Sequence, residues 1–227
     1  MIRVLVTDDH PIVREGVKQI LSETTDIVVA QEASTGQEAI AYLWKNDFDV
    51  VLLDISMPGR DGLETLRELK TIRPKTPVLI LSIYPEEYYA VRVLRGGASG
   101  YVTKSSAPDE LISAIRKVAS GGKYISPTLA ERLTYELDKD LSRPLHESLS
   151  DREYQVMRMI ASGKAIKEIA SELCLSIKTV STYRARIFEK LGIKNNATLV
   201  LYALQNNLID GRHLPVRPQQ EEGPAEE

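Results

Sequence analysis

The sequence predicts an α/β domain followed by a smaller all-α domain. The first prediction rests on five apolar, strand-like runs that alternate with helical patterns over about the first 120 residues. The second rests on a purely helical pattern in the last third of the chain, which includes a basic helix. Between the two, the polar stretch SRPLHESLS (142–150) is typical of a linker.

The strand-like runs are short, rich in Val, Ile and Leu, and flanked by turn residues, and they cover residues 2–7, 27–33, 49–54, 77–82 and 100–103. The helical patterns between and after them open at Pro11, Thr35, Gly62, Glu86 and Pro108. Five such strand–helix units predict a parallel sheet with helices on both faces. We expect a flavodoxin-like, doubly wound domain with the strand order 2-1-3-4-5.

The helical part opens with SDRE, a capping-box pattern in which Ser150 and Glu153 satisfy each other's backbone donors. Helices are predicted up to Gly163, over 166–173, over 177–191 and over 197–206. We predict four segments: an α/β domain at 1–122, a linker at 123–147, a four-helix helix-turn-helix domain at 148–211 and a disordered tail at 212–227. The linker is predicted to contain a helix over about 127–140, capped by Ser126.

The composition, with 43% hydrophobic and 27% charged residues, is ordinary for a soluble globular protein. No apolar stretch approaches the roughly 20 residues of a membrane span, and the acidic start MIRVLVTDDH is unlike a signal peptide. A single cysteine, Cys174, excludes an internal disulfide framework and favours a reducing, cytoplasmic location. We expect Cys174 to be a small buried apolar residue.

Charge is distributed unevenly along the chain. Residues 1–145 contain 18 Lys/Arg and 21 Asp/Glu, whereas residues 146–212 contain 10 and 7. Residues 176–194 alone carry five basic residues and one acidic residue. An acidic front half and a basic segment behind it indicate two separate tasks.

Polar side chains follow the strands that flank the predicted point where strand order reverses. Asp8 and Asp9 follow the first strand, Asp54 the third, Ser82 ends the fourth, and Lys104 follows the fifth. Ligands of such sheets bind at the carboxyl ends of the strands, so we expect these groups to converge. Three close carboxylates repel one another unless a cation lies between them, and Mg²⁺ is suited to such oxygen ligands.

If Mg²⁺ and Lys104 neutralise the charge of a phosphoryl group, an Asp54 oxygen is placed to accept that group by in-line attack. Ser82 is placed to bind an oxygen of the transferred phosphoryl group. Simpler roles are open for each acid alone. Asp9 is suited to capping the first helix, and an aspartate at the end of a strand is often a turn former.

The motifs VTDDH, LLDISMPGRDG, ILS and GYVTK resemble those of two-component response-regulator receiver domains over about residues 1–122. The resemblance implies that Asp54 is the phosphoacceptor and that Lys104 and Ser82 contact the phosphoryl group. It implies Mg²⁺ binding by Asp9 and Asp54 directly, by Asp8 through water and by the backbone carbonyl of Ser56. Tyr101 matches an aromatic switch position, against the simpler interpretation of an ordinary strand tyrosine. Ser105 departs from a common pattern in which a cis proline follows the lysine.

The segment SIKTVSTYRARIFEKLGI is predicted to be the second helix of the helix-turn-helix. Val180, Ile187 and Leu191 recur at helical spacing and are expected in the core. Small side chains lie on one side of this helix and basic ones around the rest, as a DNA-reading helix requires. A solvated basic face is the alternative.

The stretch from LSDREYQV to FEKLGI resembles the LuxR-type DNA-binding domain over about 148–211. The ordered chain as a whole therefore resembles a NarL/FixJ-family response regulator. The resemblance implies base contacts from Ser181, Thr182 and Ala185 and phosphate contacts from Lys178, Arg184 and Arg186; the wider candidate set adds Thr179, Tyr183 and Lys190. Tyr183 stands where histidine is frequent, and Ala165-Ile166 replace a Ser/Thr-Asn pair, which removes a capping side chain.

This resemblance implies a transcription factor, not an enzyme, that a sensor histidine kinase phosphorylates and that then dimerises and binds promoter DNA. RNA polymerase is an additional candidate partner, and no membrane partner is expected. Candidate dimer surfaces are helix 86–96 with Tyr84, Tyr88 and Tyr89, helix 108–119 and helix 197–206.

Two other interpretations remain open from the residues. One is a phosphorylation-independent DNA-binding regulator whose receiver-like domain only dimerises. The other is an aspartyl-nucleophile phosphatase, although the Asp-x-Asp motif and the cap insert of those enzymes are missing after the first strand.

Overall fold

The computed structural model describes residues 1–57, 62–127, 129–131 and 144–209. Strands and helices alternate in its first part. The strands are β1 (Ile2–Thr7), β2 (Ile27–Ala33), β3 (Val50–Leu53), β4 (Val78–Ser82) and β5 (Gly100–Thr103). The helices are α1 (Pro11–Ser22), α2 (Gly36–Lys45), α3 (Gly62–Ile72), α4 (Glu86–Arg95) and α5 (Pro108–Ala119).

The five strands form one parallel sheet in the order β2-β1-β3-β4-β5, which confirms the predicted topology. All four residues of β3 are buried because helices cover both faces of the sheet. Val51 and Leu53 face the core beneath α2, α3 and α4, whereas Val50 and Leu52 face the core beneath α1 and α5. The carboxyl end of this central strand is therefore fixed by packing on two sides.

The second part is helical, as predicted. A 3₁₀ turn (Leu145–Ser148) leads into α6 (Asp151–Ala161), α7 (Ile166–Glu172), α8 (Ile177–Leu191) and α9 (Asn196–Gln205). Ser150 and Glu153 make the predicted capping box of α6, and Gly192 ends α8 with a left-handed φ of 66°. Val180, Ile187 and Leu191 are buried in the core of this domain.

The observed helices and strands begin and end within one or two residues of the predicted positions. Ser126 Oγ accepts a hydrogen bond from the Leu129 amide, so the predicted cap is present, but most of the predicted helix over 127–140 lies outside the described residues. The predicted turn at 58–61 and the tail at 212–227 also lie outside them. Among the described residues, no helix is both long and apolar enough to cross a membrane.

Two local expectations can be compared with the structure. Cys174 is exposed, not buried, because it occupies the turn between α7 and α8 with a left-handed φ of 51°. That prediction was wrong. At the start of α7, Ala165 offers no side-chain acceptor, as expected, and only the reverse half of a cap is present, from the Ala165 amide to the Glu168 carboxylate.

Gly62 provides a test of how tightly the end of β3 is packed. A Cβ at Gly62 would lie 2.3 Å from Ile55 Cα and 2.7 Å from the Asp54 carbonyl oxygen. We expect Gly62→Ala to lower the free energy of unfolding by about 1–3 kcal/mol, because backbone must move to admit the methyl group. Urea unfolding of the purified chain measures this change.

Gly16→Ala is the matched control. A Cβ at Gly16 meets nothing within 4 Å, and Gly16 lies inside helix α1. We expect this substitution to stabilise the chain by about 0.5–1 kcal/mol, since alanine loses less backbone entropy on folding. Equal unfolding midpoints for the two variants would contradict the close packing at Gly62.

Candidate functional site

Three carboxylates meet at the carboxyl edge of the sheet. The Asp8 amide donates to the Ala33 carbonyl and the Asp54 amide to the Thr7 carbonyl, so both residues continue the strand ladder. Asp8 and Asp54 are each only 1% exposed. One ligand atom from each of Asp8, Asp9, Asp54 and His10 lies within 4.8 Å of the others. We call the pocket formed by these residues the acidic pocket.

Lys104 supplies the positive charge of the acidic pocket. Its Nζ lies 2.6 Å from Asp8 Oδ2 and 2.7 Å from Asp54 Oδ2. The loop after β5 is held at this place because the Lys104 amide donates to the Ser82 carbonyl. The peptide bond to Ser105 is trans, since the described residues contain no cis peptide bond.

Burial and charge act in opposite directions on this pair. Burial raises the pKa of Asp54 above its usual value, and the Lys104 charge and the Ser56 amide, which donates to Asp54 Oδ1 at 2.9 Å, offset part of this rise. Burial also acts to lower the pKa of Lys104, but Asp54 and Asp8 outweigh it, so that the pKa is raised. Lys104 is therefore a fixed cation between two buried acids.

The donor set is suited to a hard divalent cation. Lys104 Nζ pairs with both Asp8 Oδ2 and Asp54 Oδ2, so one ammonium charge faces three clustered carboxylates. Clustered carboxylates whose charge is only partly neutralised favour a further cation with oxygen ligands. His10 belongs to the same cluster, with Nδ1 3.0 Å from Asp9 Oδ1, and the sequence analysis did not select it.

Ser82 and Tyr101 lie next to the acidic pocket on β4 and β5. Ser82 is fully buried, and its Oγ accepts a hydrogen bond from the Tyr84 amide at 3.2 Å. Tyr101 is 2% exposed, and its hydroxyl donates to the Tyr84 carbonyl at 2.7 Å. Both side chains therefore converge on the backbone of Tyr84, in the loop that leads to α4.

Helix α8 presents the second candidate surface. Its cap is Ser176, whose Oγ accepts from the Thr179 amide. Small and basic side chains that the sequence selects are exposed along the helix, namely Lys178, Ser181, Thr182, Ala185 and Arg186. The structure brings them to one solvent-facing surface, which we call the recognition surface.

The other predicted residues of this helix are partly engaged elsewhere. Arg184 Nε donates to Asn196 at 3.1 Å, and its guanidinium lies 4.9 Å from the centre of the Phe188 ring. Lys190 Nζ lies 2.6 Å from Glu153, on the capping box of α6. Thr179 and Tyr183 are half-buried. The side-chain contacts of these residues are made within the domain.

Comparison with known proteins identifies both domains. Residues 4–116 match the response regulator receiver domain, and residues 147–203 match the bacterial regulatory proteins of the luxR family. The response regulator UvrY of Escherichia coli K12 is 39% identical over 215 residues, which cover 94% of this chain and 99% of UvrY. This chain belongs to the NarL/FixJ-family response regulators.

Two further similar proteins are also response regulators. The response regulator GacA of Pseudomonas aeruginosa is 39% identical, with 92% of this chain and 99% of GacA covered. Among solved structures, RcsB of Salmonella enterica serovar Typhimurium, bound to promoter rprA in the presence of phosphomimetic BeF₃⁻, is 29% identical with a TM-score of 0.60. That match covers 89% of this chain and 98% of RcsB.

The family is one of DNA-binding transcription regulators, which is not an enzyme class. The family membership and the full-length match to UvrY thus favour the regulator over the phosphatase that the sequence left open.

Lys104→Met tests the electrostatics of the acidic pocket in this response regulator. Removing the cation leaves two buried carboxylates unneutralised, so we expect a loss of about 3 kcal/mol in the free energy of unfolding near neutral pH. The pKa of Asp54, already raised by burial, then rises further.

The pH dependence has a defined sign. A carboxyl whose pKa is raised in the folded state binds a proton at a pH where the unfolded chain has already released it. The stability deficit of Lys104→Met relative to the wild type therefore shrinks as the pH is lowered from about 8 to about 5. Urea unfolding of the wild type and of Lys104→Met at several pH values measures this deficit. A deficit that stays constant or grows on acidification would contradict the assignment of Lys104 as the neutralising cation.

Proposed function

We propose that this response regulator is phosphorylated on Asp54 by a sensor histidine kinase, with Mg²⁺, and that phosphorylation switches its dimerisation and promoter binding. The observation that carries the proposal is the buried Asp54 carboxylate, held on a rigid strand end beside Asp8 and Lys104. In that environment, fixed charges and a rigid backbone can stabilise the negative charge of a phosphoryl group bound to Asp54.

Phosphoryl transfer at this site needs little more than position and charge. An Asp54 oxygen attacks the phosphorus of a phosphohistidine in line, the O–P bond forms as the N–P bond breaks, and the kinase imidazole leaves and regains a proton. Lys104 pairs with the developing negative charge, and Ser82 donates its hydroxyl to a phosphoryl oxygen.

Asp8, Asp9, Asp54 and the Ser56 carbonyl would hold Mg²⁺. The ion would neutralise phosphoryl charge there. The clustering of ligand atoms from Asp8, Asp9 and Asp54 within 4.8 Å of one another supports this assignment.

The proposal divides the chain into a receiver at 1–122, a linker at 123–147, a DNA-binding domain at 148–211 and a tail beyond 211. The recognition surface on α8 is the part that enters the major groove of promoter DNA. Lys178 and Arg186 contact phosphates, with Arg184 released from Asn196, while Ser181, Thr182 and Ala185 face base edges. Thr179, Tyr183 and Lys190 flank that surface.

Oligomeric state and location belong to the same proposal. A related chain, RcsB, has been solved as two dimers bound to two parallel DNAs. We propose that this chain also binds promoter DNA as a homodimer, in the cytoplasm, where RNA polymerase is a further candidate partner.

Tyr101 acts in this scheme as the switch residue between the acidic pocket and the loop before α4.

The phosphoryl acceptor can be identified by intact mass. Incubation with acetyl phosphate and Mg²⁺ is expected to add one acid-labile phosphoryl group to the wild type. Asp54→Asn and a chelator are each expected to abolish the gain. A wild type that gains nothing would refute the phosphoacceptor and leave a phosphorylation-independent DNA-binding regulator; rapid hydrolysis of the donor would instead favour the phosphatase.

The recognition surface can be tested with duplexes that the wild type selects from a random pool. Arg186→Ala is expected to weaken binding to all selected sequences and to lower the slope of log affinity against log salt by about 1, the value for one lost phosphate contact. Thr182→Ala is expected to relax preference at one base position, with little change in that slope.

Lys45→Ala is the matched control for these variants. It removes the same unit of positive charge from an exposed position on α2, far in sequence from α8. If it lowered the salt slope as much as Arg186→Ala, net charge alone would account for binding, and the recognition surface would be wrongly placed.

A further inference from the structure

A large apolar side chain is exposed to water at the start of the recognition helix α8. Ile177 is the first residue of this helix, and 51% of it is exposed. The helix start is anchored by its neighbours, because Leu175 packs against the core and Val180 is fully buried. A single exposed apolar residue is ordinary on a protein surface. Ile177 is informative because of its place on a surface that is proposed to face DNA.

Ile177 lies on the same side of α8 as side chains that are proposed to face base edges. Ser181 and Ala185 follow it at spacings of four and eight residues, so the three form a row along about 12 Å of the helix. All three are exposed. In helix-turn-helix proteins, the N-terminal residues of the second helix contact base edges. Ile177 is the member of the row that lies at this N-terminal end.

The receiver does not cover this row. The two domains contact each other through α6, where the Asp151 carboxylate lies 2.5 Å from Arg92 Nε on α4 and the Tyr154 hydroxyl donates to the Tyr88 carbonyl. The side of α8 that carries Ile177 is open to solvent with both domains in place. This side chain is therefore accessible to DNA in the full chain.

The side chains of this surface favour methyl groups over polar base edges. Adenine is usually read by Asn or Gln and cytosine by Asp or Glu, and residues 176–188 contain none of these. The Thr182 hydroxyl donates to the Lys178 carbonyl at 3.0 Å, so its proton is used within the helix and its methyl group remains. Ala185 offers only a methyl group. In the major groove, apolar side chains of this kind recognise the C5-methyl group of thymine.

We propose that Ile177 is a specificity-determining residue that packs on the C5-methyl group of a thymine opposite the start of α8. This inference rests on the proposed function, because it names the base that the recognition surface prefers. Lys178 and Arg186 suit phosphate or guanine, so they add affinity without recognising a methyl group. The preference for thymine comes from the apolar side chain.

The methyl group can be removed from the DNA with no other change. Deoxyuridine pairs as thymidine does and lacks only the C5-methyl group. A duplex is selected from a random pool by the full chain treated with acetyl phosphate and Mg²⁺, and each thymidine is then replaced in turn. We expect replacement at one position to weaken binding, measured by fluorescence anisotropy, about three- to fivefold, as loss of one buried methyl group does.

Ile177→Ala assigns this effect to one side chain. We expect the variant to bind the thymidine duplex about threefold or more weakly than the wild type, and to bind the deoxyuridine duplex as well as the thymidine duplex. Ile177→Val keeps a branched apolar side chain and is expected to retain the preference for thymine. Neither variant loses a charge, so the slope of log affinity against log salt is expected to stay unchanged.

Leu201→Ala is the matched control. Leu201 is 59% exposed on α9, outside the recognition surface, so the substitution removes a similar amount of apolar side chain. We expect this variant to keep the wild-type ratio of affinities for the thymidine and deoxyuridine duplexes.

The outcomes separate the inference from the proposed function. Sequence-selective binding in which no deoxyuridine replacement matters would overturn the inference and leave promoter binding intact. A thymine preference that survives in Ile177→Ala, or one that is lost in Leu201→Ala, would do the same. A wild-type chain that selects no sequence from the random pool would overturn the proposed promoter binding, and the inference with it.

Discussion

The interaction on which the rest of this molecule depends is the bridge that Lys104 makes between Asp8 and Asp54. Two carboxylates at the ends of adjacent parallel strands repel each other in a buried site, and without a cation this repulsion would destabilise the folded sheet edge. Lys104 comes from a loop whose amide is tied to Ser82, so the bridge joins the carboxyl ends of β1, β3, β4 and β5. The cation that stabilises the sheet edge is also the one that the proposed phosphoryl transfer uses.

Much of the receiver could be predicted from the sequence because its information is local. The alternation of apolar runs and helix starts indicates β1 to β5, and the rule that ligands bind at carboxyl strand ends brings Asp8, Asp54 and Lys104 together. The partners of the side chains on α8 depend less on the local sequence. Its periodicity identifies Val180 and Ile187 as core, but the contacts of Lys190 with Glu153 depend on how α6 packs across it. Cys174 was misjudged because its exposure follows from a left-handed turn, which composition does not reveal.

The contact between the domains could not be predicted in this way. Tyr88, Tyr89 and Asp151 have no distinctive spacing, since the partners lie about 60 positions apart and meet only after both domains have folded. Tyrosines on such a helix suit an interface with any partner, and the sequence placed them on one of three candidate dimer surfaces, with a core or plain surface role favoured for the tyrosines themselves. The structure shows a partner within the same chain. One helix face cannot serve both, so the intramolecular contact excludes a dimer built on the same face of α4.

The exposure of the recognition surface has a consequence for the timing of the response. A regulator whose base-reading helix is hidden must first receive its signal and only then begin to search the chromosome. Here the basic face of α8 is open to solvent while the domains are in contact, and nonspecific attraction to the phosphate backbone requires only that face. Such a chain can diffuse along DNA before any signal arrives. The slow search would then be complete in advance, and the signal would decide only how long the protein remains where it already is.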